Sequence, residues 1–237
     1  MPKTLTCIIP YREPEPYLDK TIEEVKTKST TNPEIKVMES KGLEMGQKLN
    51  QAVKETDSKY LLKLDAHCML DKGFDQKLIE NSKPNRVQAP RRYKLDPEKW
   101  IKHGEPVDRE MIVFESLLYK NIRGYRWDEP GDTMHIQCSC YFMERDWWNK
   151  CGFLKTRFGG EPTEIFYETL KNKGETVINT NTWYAHWHKP KELCYPEDLM
   201  KSRARAYDKW ANTELFRELI AKHQPIPGWC KDWEKFL

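Results

Sequence analysis

No run of about 18 apolar residues occurs in the 237-residue chain, so no segment reads as a membrane-spanning helix. Met1-Pro2-Lys3-Thr4 leads straight into a strand-like run, so the expectation is a cytoplasmic protein without a signal peptide. An excess of charge of one sign is also lacking. Lys and Arg total 40 against 37 Asp and Glu, a net +3, too little to mark a nucleic-acid binder by overall charge. The seven cysteines are odd in number and scattered. Cys138-Ser139-Cys140 is a C-x-C, without the paired spacing of a zinc knuckle, so the cysteines read as free thiols in a reducing compartment. No internal repeat or low-complexity segment occurs. No glycine-rich phosphate loop follows the first strand-like run, where the sequence is Pro10-Tyr11-Arg12-Glu13-Pro14. That argues against a nucleotidyltransferase built on such a loop.

What is present is a globular composition, with 38% hydrophobic, 32% charged and 12% aromatic residues. The nine Trp can stack on sugars or bases, but composition alone favours a role in the core. Leu5 to Ile9 is an apolar run that stops at Pro10 and reads as a buried strand. Pro14 and Pro16 open a helix carrying Leu18, Ile22 and Val25 at helical spacing, and Asn32-Pro33 ends it. Ile35 to Met38 is a second strand, followed by a helix with Leu49, Ala52 and Val53 on one face. Tyr60 to Leu64 is a third strand, and Phe74, Leu78 and Ile79 give another helix. This alternation predicts an α/β fold with a parallel sheet and crossover helices. Ligands then bind beyond the carboxyl ends of the strands, which here carry Pro10-Tyr11-Arg12, Glu39 and Asp65-Ala66-His67.

Residues 84–133 read as Pro-rich and irregular, with a strand at Met111 to Phe114. His135 to Met143 reads as a strand, Glu144 to Trp148 as a short helix, Gly159-Gly160 as a turn and Glu161 to Lys171 as a helix. Thr176 to Ile178 and Trp183 to Ala185 read as two strands, and a long helix is expected from about Pro196 to Lys222.

Three places carry chemistry. Asp65 and His67 are two apart, so in an extended chain both face one side and can approach one metal ion. A carboxylate with an imidazole suits Mn²⁺ better than Mg²⁺, and such an ion neutralises a diphosphate as it leaves. His186-Trp187-His188 follows another strand-like run. His186 and His188 share a face, and either can complete the metal site. Gly159-Gly160-Glu161-Pro162-Thr163-Glu164 places two carboxylates at a helix start, as a capping pair or as groups that hold acceptor hydroxyls and assist proton removal.

Thr6 to Arg12 with Leu18 and Thr21 to Val25 resembles the opening strand and helix of family-two-type glycosyltransferases. Tyr60 to Cys68 resembles their aspartate motif, in the D-x-H form of the polypeptide N-acetylgalactosaminyltransferases. Cys140 to Arg145 with Trp147, Gly152-Phe153 and Gly159-Gly160-Glu161 resembles the acceptor half of that superfamily. Tyr184 to Trp187 resembles the segment whose His completes the metal site. The resemblance implies a GT-A fold in a single domain. A Rossmann-like nucleotide-sugar-binding half, about 1–95, is fused to an acceptor-binding half, 96–237, with a C-terminal helix. It implies a metal triad of Asp65, His67 and His186, holding Mn²⁺ or Mg²⁺. Pro10, Tyr11, Arg12, Glu39, Asp65 and Ala66 are implied at the nucleotide sugar, and Glu161 and Glu164 in catalytic positions.

The implied activity is transfer of a sugar from a nucleoside diphosphate, UDP before others, to a hydroxyl-bearing acceptor: a glycan or lipid precursor, or a protein. Many inverting relatives carry an Asp base where this chain has Pro162, which leans the expectation towards retention. The absence of Q-x-x-R-W after it argues against a processive synthase. From Lys83 to Lys102 seven basic residues face Asp96 and Glu98. With Arg203, Arg205 and Lys209 they keep a hydroxymethylated DNA base among the acceptors, provided that base is reachable outside the stack. The other readings are a metal-dependent nucleotidyltransferase and a catalytically dead binding module. The joint presence of Asp65, His67, His186 and Glu161 argues against the dead module.

Overall fold

The computed structural model describes residues 3–40, 45–107, 110–113, 118–121, 131–132, 136–152, 161–189, 213–214 and 217–218. In chain order the elements are β1 (Leu5–Tyr11), α1 (Leu18–Lys28), β2 (Glu34–Glu39), α2 (Met45–Lys54), β3 (Tyr60–Leu64), β4 (Cys68–Leu70) and α3 (Phe74–Glu80). They continue with β5 (Arg86–Asp96), β6 (Ile101–Val107), β7 (Glu110–Val113), β8 (Leu118–Asn121), β9 (Gly131–Asp132), β10 (Cys140–Glu144), α4 (Arg145–Cys151), α5 (Glu161–Lys171) and β11 (Glu175–His186).

Among the described residues the main sheet runs β2-β1-β3-β10-β5-β11-β4, with β6 on β5 and β9 on β11, while β7 and β8 form a separate pair. Strands from both sides of residue 95 therefore alternate in one sheet. Period-two alternation divides the core between the two sheet faces. Leu5, Cys7 and Ile9 of β1, Leu62 and Leu64 of β3 and Phe142 of β10 face Val25 of α1 and Phe74 and Leu78 of α3. Ile8, Leu61, Tyr141 and Met143 point the other way, towards Leu49 and Val53 of α2, Trp147 of α4 and Ile165 of α5. Covered on both faces, β3 is buried along its whole length, which is why it reads as an almost unbroken apolar run.

The exit from α1 is tied to α3. The buried Asp75 carboxylate accepts the backbone N–H groups and hydroxyls of Thr30 and Thr31 at 2.7–3.2 Å. That satisfies donors beyond the helix end, just before Pro33.

The sheet is mixed and not wholly parallel. β1 runs parallel to β2 and β3, but β10 is antiparallel to both β3 and β5. Two reversals make β5 parallel to β3, and β11 is parallel to β5. The carboxyl end of β11 thus falls on the same edge as those of β1, β2 and β3, and this topology sets up the site.

Three elements differ from the sequence expectation. The stretch read as irregular holds the longest hairpin, β5 with β6. Its prolines misled: Pro90 pairs with Asn179, where the β5–β11 register shifts, a place where a missing N–H is tolerated. That same shift split one strand, β11, into two expected ones. The strand expected from His135 begins only at Cys140. Ahead of it, Gln137 and Ser139 hydrogen-bond the buried Tyr184 hydroxyl at 2.6 and 2.7 Å, and the Ser139 carbonyl accepts the Asp65 N–H at 2.8 Å. The segment closes over the end of β3 and does not pair alongside it. His135, Phe114, Gly159-Gly160 and most of the expected helix at 196–222 lie outside the described residues. No helix among the described residues is long and apolar enough to cross a membrane.

Candidate metal and nucleotide-sugar site

Asp65, Ala66 and His67 lie on the bend between β3 and β4, not in an extended strand. The chain turns there so that β4 can pair antiparallel with β11, with Cys68 opposite His186. The Trp187 N–H donates to the His67 carbonyl at 3.1 Å. The bend and the strand end together converge the three side chains. The Nε2 atoms of His67 and His186 are 3.1 Å apart, and His186 Nε2 lies 3.2 Å from Asp65 Oδ2. All three donor atoms fall within 4.8 Å of one another. His188 is exposed, its ring centroid 4.9 Å from that of His186; it is His186 that meets the other two.

This donor set fits a divalent ion. Ligands about 2.1 Å from a shared ion and about 90° apart lie about 3.0 Å from each other, close to the two short separations. The protonation states fit as well. Burial pushes the His186 imidazole down to about 3, so it is neutral at pH 7 with a lone pair to offer. Burial works to raise the Asp65 carboxyl, but the Lys63 ammonium and the two histidines outweigh it and hold it far below the usual carboxylate range.

Two residues that sequence reasoning passed over complete the surroundings. Lys63, on β3, contacts Asp65 Oδ1 and the Cys138 carbonyl. Its burial opposes the charge, but Asp65 and other acidic neighbours, Glu161 among them, raise its pKa. A lysine inside Tyr60-Leu61-Leu62-Lys63-Leu64 was the available signal, because a buried ammonium requires a partner. Glu15, between Pro14 and Pro16 in the β1–α1 connection, accepts from His67 Nδ1 at 3.0 Å. Nothing in its sequence context marks it.

Of the other expected site residues, Pro10, Tyr11 and Glu39 lie together at the carboxyl ends of β1 and β2, with Tyr11 paired to Glu39. Arg12 follows directly. Ala66 is buried between Asp65 and His67 in the bend. Glu161 and Glu164 both lie buried in the first turn of α5 but serve different surroundings. Glu161 is near enough to act on Lys63, whereas Glu164 lines a pocket with Met143, Trp148, Cys151 and Glu168. The basic stretch is largely engaged within the protein. Lys83 and Arg86 pair with Glu175 at 3.5 and 2.8 Å, and Lys102 sits 3.7 Å above the Trp183 ring. Arg91 and Arg92 also have partners. Arg203, Arg205 and Lys209 lie outside the described residues.

The mixed sheet covered on both faces, with the Asp65–His67 bend at its carboxyl edge, has the GT-A fold. The profile of glycosyl transferase family 2 matches residues 17–152, more than half of the 237 residues, and the chain belongs to that family. The matched span holds Asp65 and His67; Pro10, Tyr11, Arg12, Glu161, Glu164 and His186 lie outside it. Among solved structures, GalNAc-T7 with UDP, GalNAc and Mn²⁺ superposes with a TM-score of 0.65 at 18% identity, covering 98% of this chain and 53% of that one. The chain therefore spans about half the length of that relative. S. aureus TarS 1-349 in complex with UDP-GlcNAc gives a TM-score of 0.57 at 11% identity, covering 93% and 72%. At these identities the likeness shows the fold. No curated protein matches significantly by sequence.

Proposed function

We propose that the chain transfers a sugar from a nucleoside diphosphate donor, a UDP-sugar, to a hydroxyl acceptor, and that Asp65, His67 and His186 hold the divalent ion, Mn²⁺ before Mg²⁺. The observation that carries this reading is the convergence of those three donor atoms at the carboxyl edge of a family 2 fold. When bound, the ion neutralises the diphosphate and helps it leave. Pro10, Tyr11, Arg12 and Glu39 line the nucleoside end, and the buried Ala66 keeps the bend narrow between its ligands. The ranges 1–95 and 96–237 act as donor and acceptor halves of one domain. With much of the 83–102 stretch engaged internally, the acceptor is a glycan precursor, a lipid precursor or a protein hydroxyl ahead of a hydroxymethylated DNA base. The experiment is a thermal-shift screen of nucleotide sugars with and without Mn²⁺. A donor at about 100 times its Kd adds about 2.7 kcal/mol. One UDP-sugar should raise the melting temperature with Mn²⁺ and lose most of that effect in EDTA. Full stabilisation and turnover in EDTA would end the metal reading.

The stereochemical expectation is retention. The C1–phosphate bond breaks, the acceptor oxygen bonds C1 on the same face, and its proton passes to the departing phosphate oxygen. No separate base is then needed, consistent with Pro162 in the position where many inverting relatives carry Asp. Glu161, beside Lys63, orients sugar or acceptor. Losing a hydrogen bond to a charged group costs about 1.5–3 kcal/mol, so Glu161→Gln should slow transfer about 10- to 100-fold. Glu164→Gln should do less. NMR of the product made from a UDP-α-sugar should show an α linkage. A β linkage, or the larger loss in Glu164→Gln, would overturn this assignment.

A further inference from the structure

His67 and His186 are held differently. Among the described residues His186 Nδ1 has no hydrogen-bond partner, whereas His67 Nδ1 is 3.0 Å from Glu15 Oε2. That carboxylate is buried, with a side-chain exposure of only 1%, and the same oxygen takes the Lys189 ammonium at 2.5 Å. Glu15 comes from the β1–α1 connection and Lys189 from the chain leaving β11. One carboxylate thus ties together the elements on either side of the His67 bend. The Lys189 ammonium can only donate, so the oxygen it shares with His67 is an acceptor. A carboxylate acceptor on Nδ1 requires the proton there, and Nε2 is left with the lone pair that faces Asp65 and His186.

We propose that Glu15 is the positioning residue of the metal site, fixing His67 in the Nδ1–H tautomer and in the ring orientation that presents Nε2 to the ion. This rests on the metal reading given above. Glu15 is not itself a ligand, because it meets the nitrogen of His67 remote from Asp65 and His186. Its effect passes through His67, in the manner of the carboxylate–histidine pairs that orient metal ligands.

The test joins two measurements on the whole chain. Long-range ¹H–¹⁵N NMR of the metal-free protein reads the imidazole tautomers, and Mn²⁺ titration calorimetry without donor reads affinity. His67 should be the Nδ1–H tautomer in the wild type, a result that needs no variant. In Glu15→Gln the amide can donate to Nδ1 as well as accept from it, so the tautomers should mix. Mn²⁺ affinity should fall about 10- to 100-fold. A wild-type His67 in the Nε2–H form, or equal Mn²⁺ affinity in Glu15→Gln, would overturn the proposal while leaving the metal site standing. A wild-type protein that transfers sugar yet binds no Mn²⁺ would overturn the metal reading and this inference with it. The wild-type titration tells the two failures apart.

Discussion

Asp65→Asn should lose sugar transfer and Mn²⁺ binding while keeping its fold, whereas Asp65→Ala should lose the fold's stability as well. The difference comes from Lys63. One Asp65 oxygen is turned to His186 and the other contacts the Lys63 ammonium, which is buried with the Cys138 carbonyl as its other partner. Alanine removes the acceptor and leaves an uncompensated charge beneath the site, at a cost of about 3–5 kcal/mol. For a chain of this size each kcal/mol lowers Tm by about 2–4 °C, so Asp65→Ala should melt roughly 6–20 °C below the wild type. Asparagine loses the countercharge too, but in the same volume it keeps a carbonyl oxygen that accepts from the Lys63 ammonium, so part of that loss should be avoided. Both variants also remove the charge that, on the proposed reading, anchors the ion. Without it the leaving diphosphate loses several kcal/mol of stabilisation, or about 10²- to 10⁴-fold in rate. Initial rates with saturating UDP-sugar and melting curves in EDTA check the two halves. Transfer by Asp65→Asn within tenfold of wild type would sink the assignment of Asp65. Equal melting of the two variants would sink the account of Lys63.

The fold's first half was legible because it is built from local signals. β1, β3, α1 and α2 each carry their own periodicity and stops, and Pro33 and Asp65 fall close to where elements end. Sheet order is a non-local property. Nothing in the spacing of Cys140 to Met143 shows that this strand inserts antiparallel between β3 and β5, yet that insertion brings β11 to the right edge. The same division holds in the site. Asp65 and His67 are neighbours in sequence and were found as a pair. His186, 119 residues beyond His67, shares its strand-end pattern with His188, so the spacing alone does not choose between them; only the family resemblance favours His186, and it is His186 that lies against Asp65 and His67. Lys63 had a readable signal in its charge within a buried strand. Glu15 had none, because its role exists only once a loop before α1 folds against a bend 52 residues away.

An equally large effect on stability is expected at Trp147, on the face of the sheet opposite α1. Its side chain is buried in the cluster with Leu61, Val87, Tyr141 and Ile165, and its Nε1 donates to Thr169 Oγ1 at 3.2 Å. Trp147 thus fastens α4 to α5, the helix that carries Glu161. Trp147→Ala should cost about 3–5 kcal/mol through lost burial and the cavity left behind. Gly174 should respond to the same ring from outside. A Cβ there would stand 2.4 Å from Trp147 Cζ2 and 2.6 Å from the Asn85 carbonyl oxygen. The Asn85 carbonyl accepts the Glu175 N–H at 3.0 Å and cannot withdraw cheaply, so Gly174→Ala should cost about 1–3 kcal/mol by overpacking. The two changes should not add. With the ring gone the new methyl meets the Asn85 carbonyl but no longer the indole, so the double variant should cost less than the sum of the singles by about 0.5 kcal/mol or more. Denaturant melts of the four proteins close the cycle. Additivity within error would mean that Gly174 is held by the backbone contact alone. A Gly174→Ala protein as stable as wild type would show that the packing of α4 and α5 on β11 has more room than these distances allow.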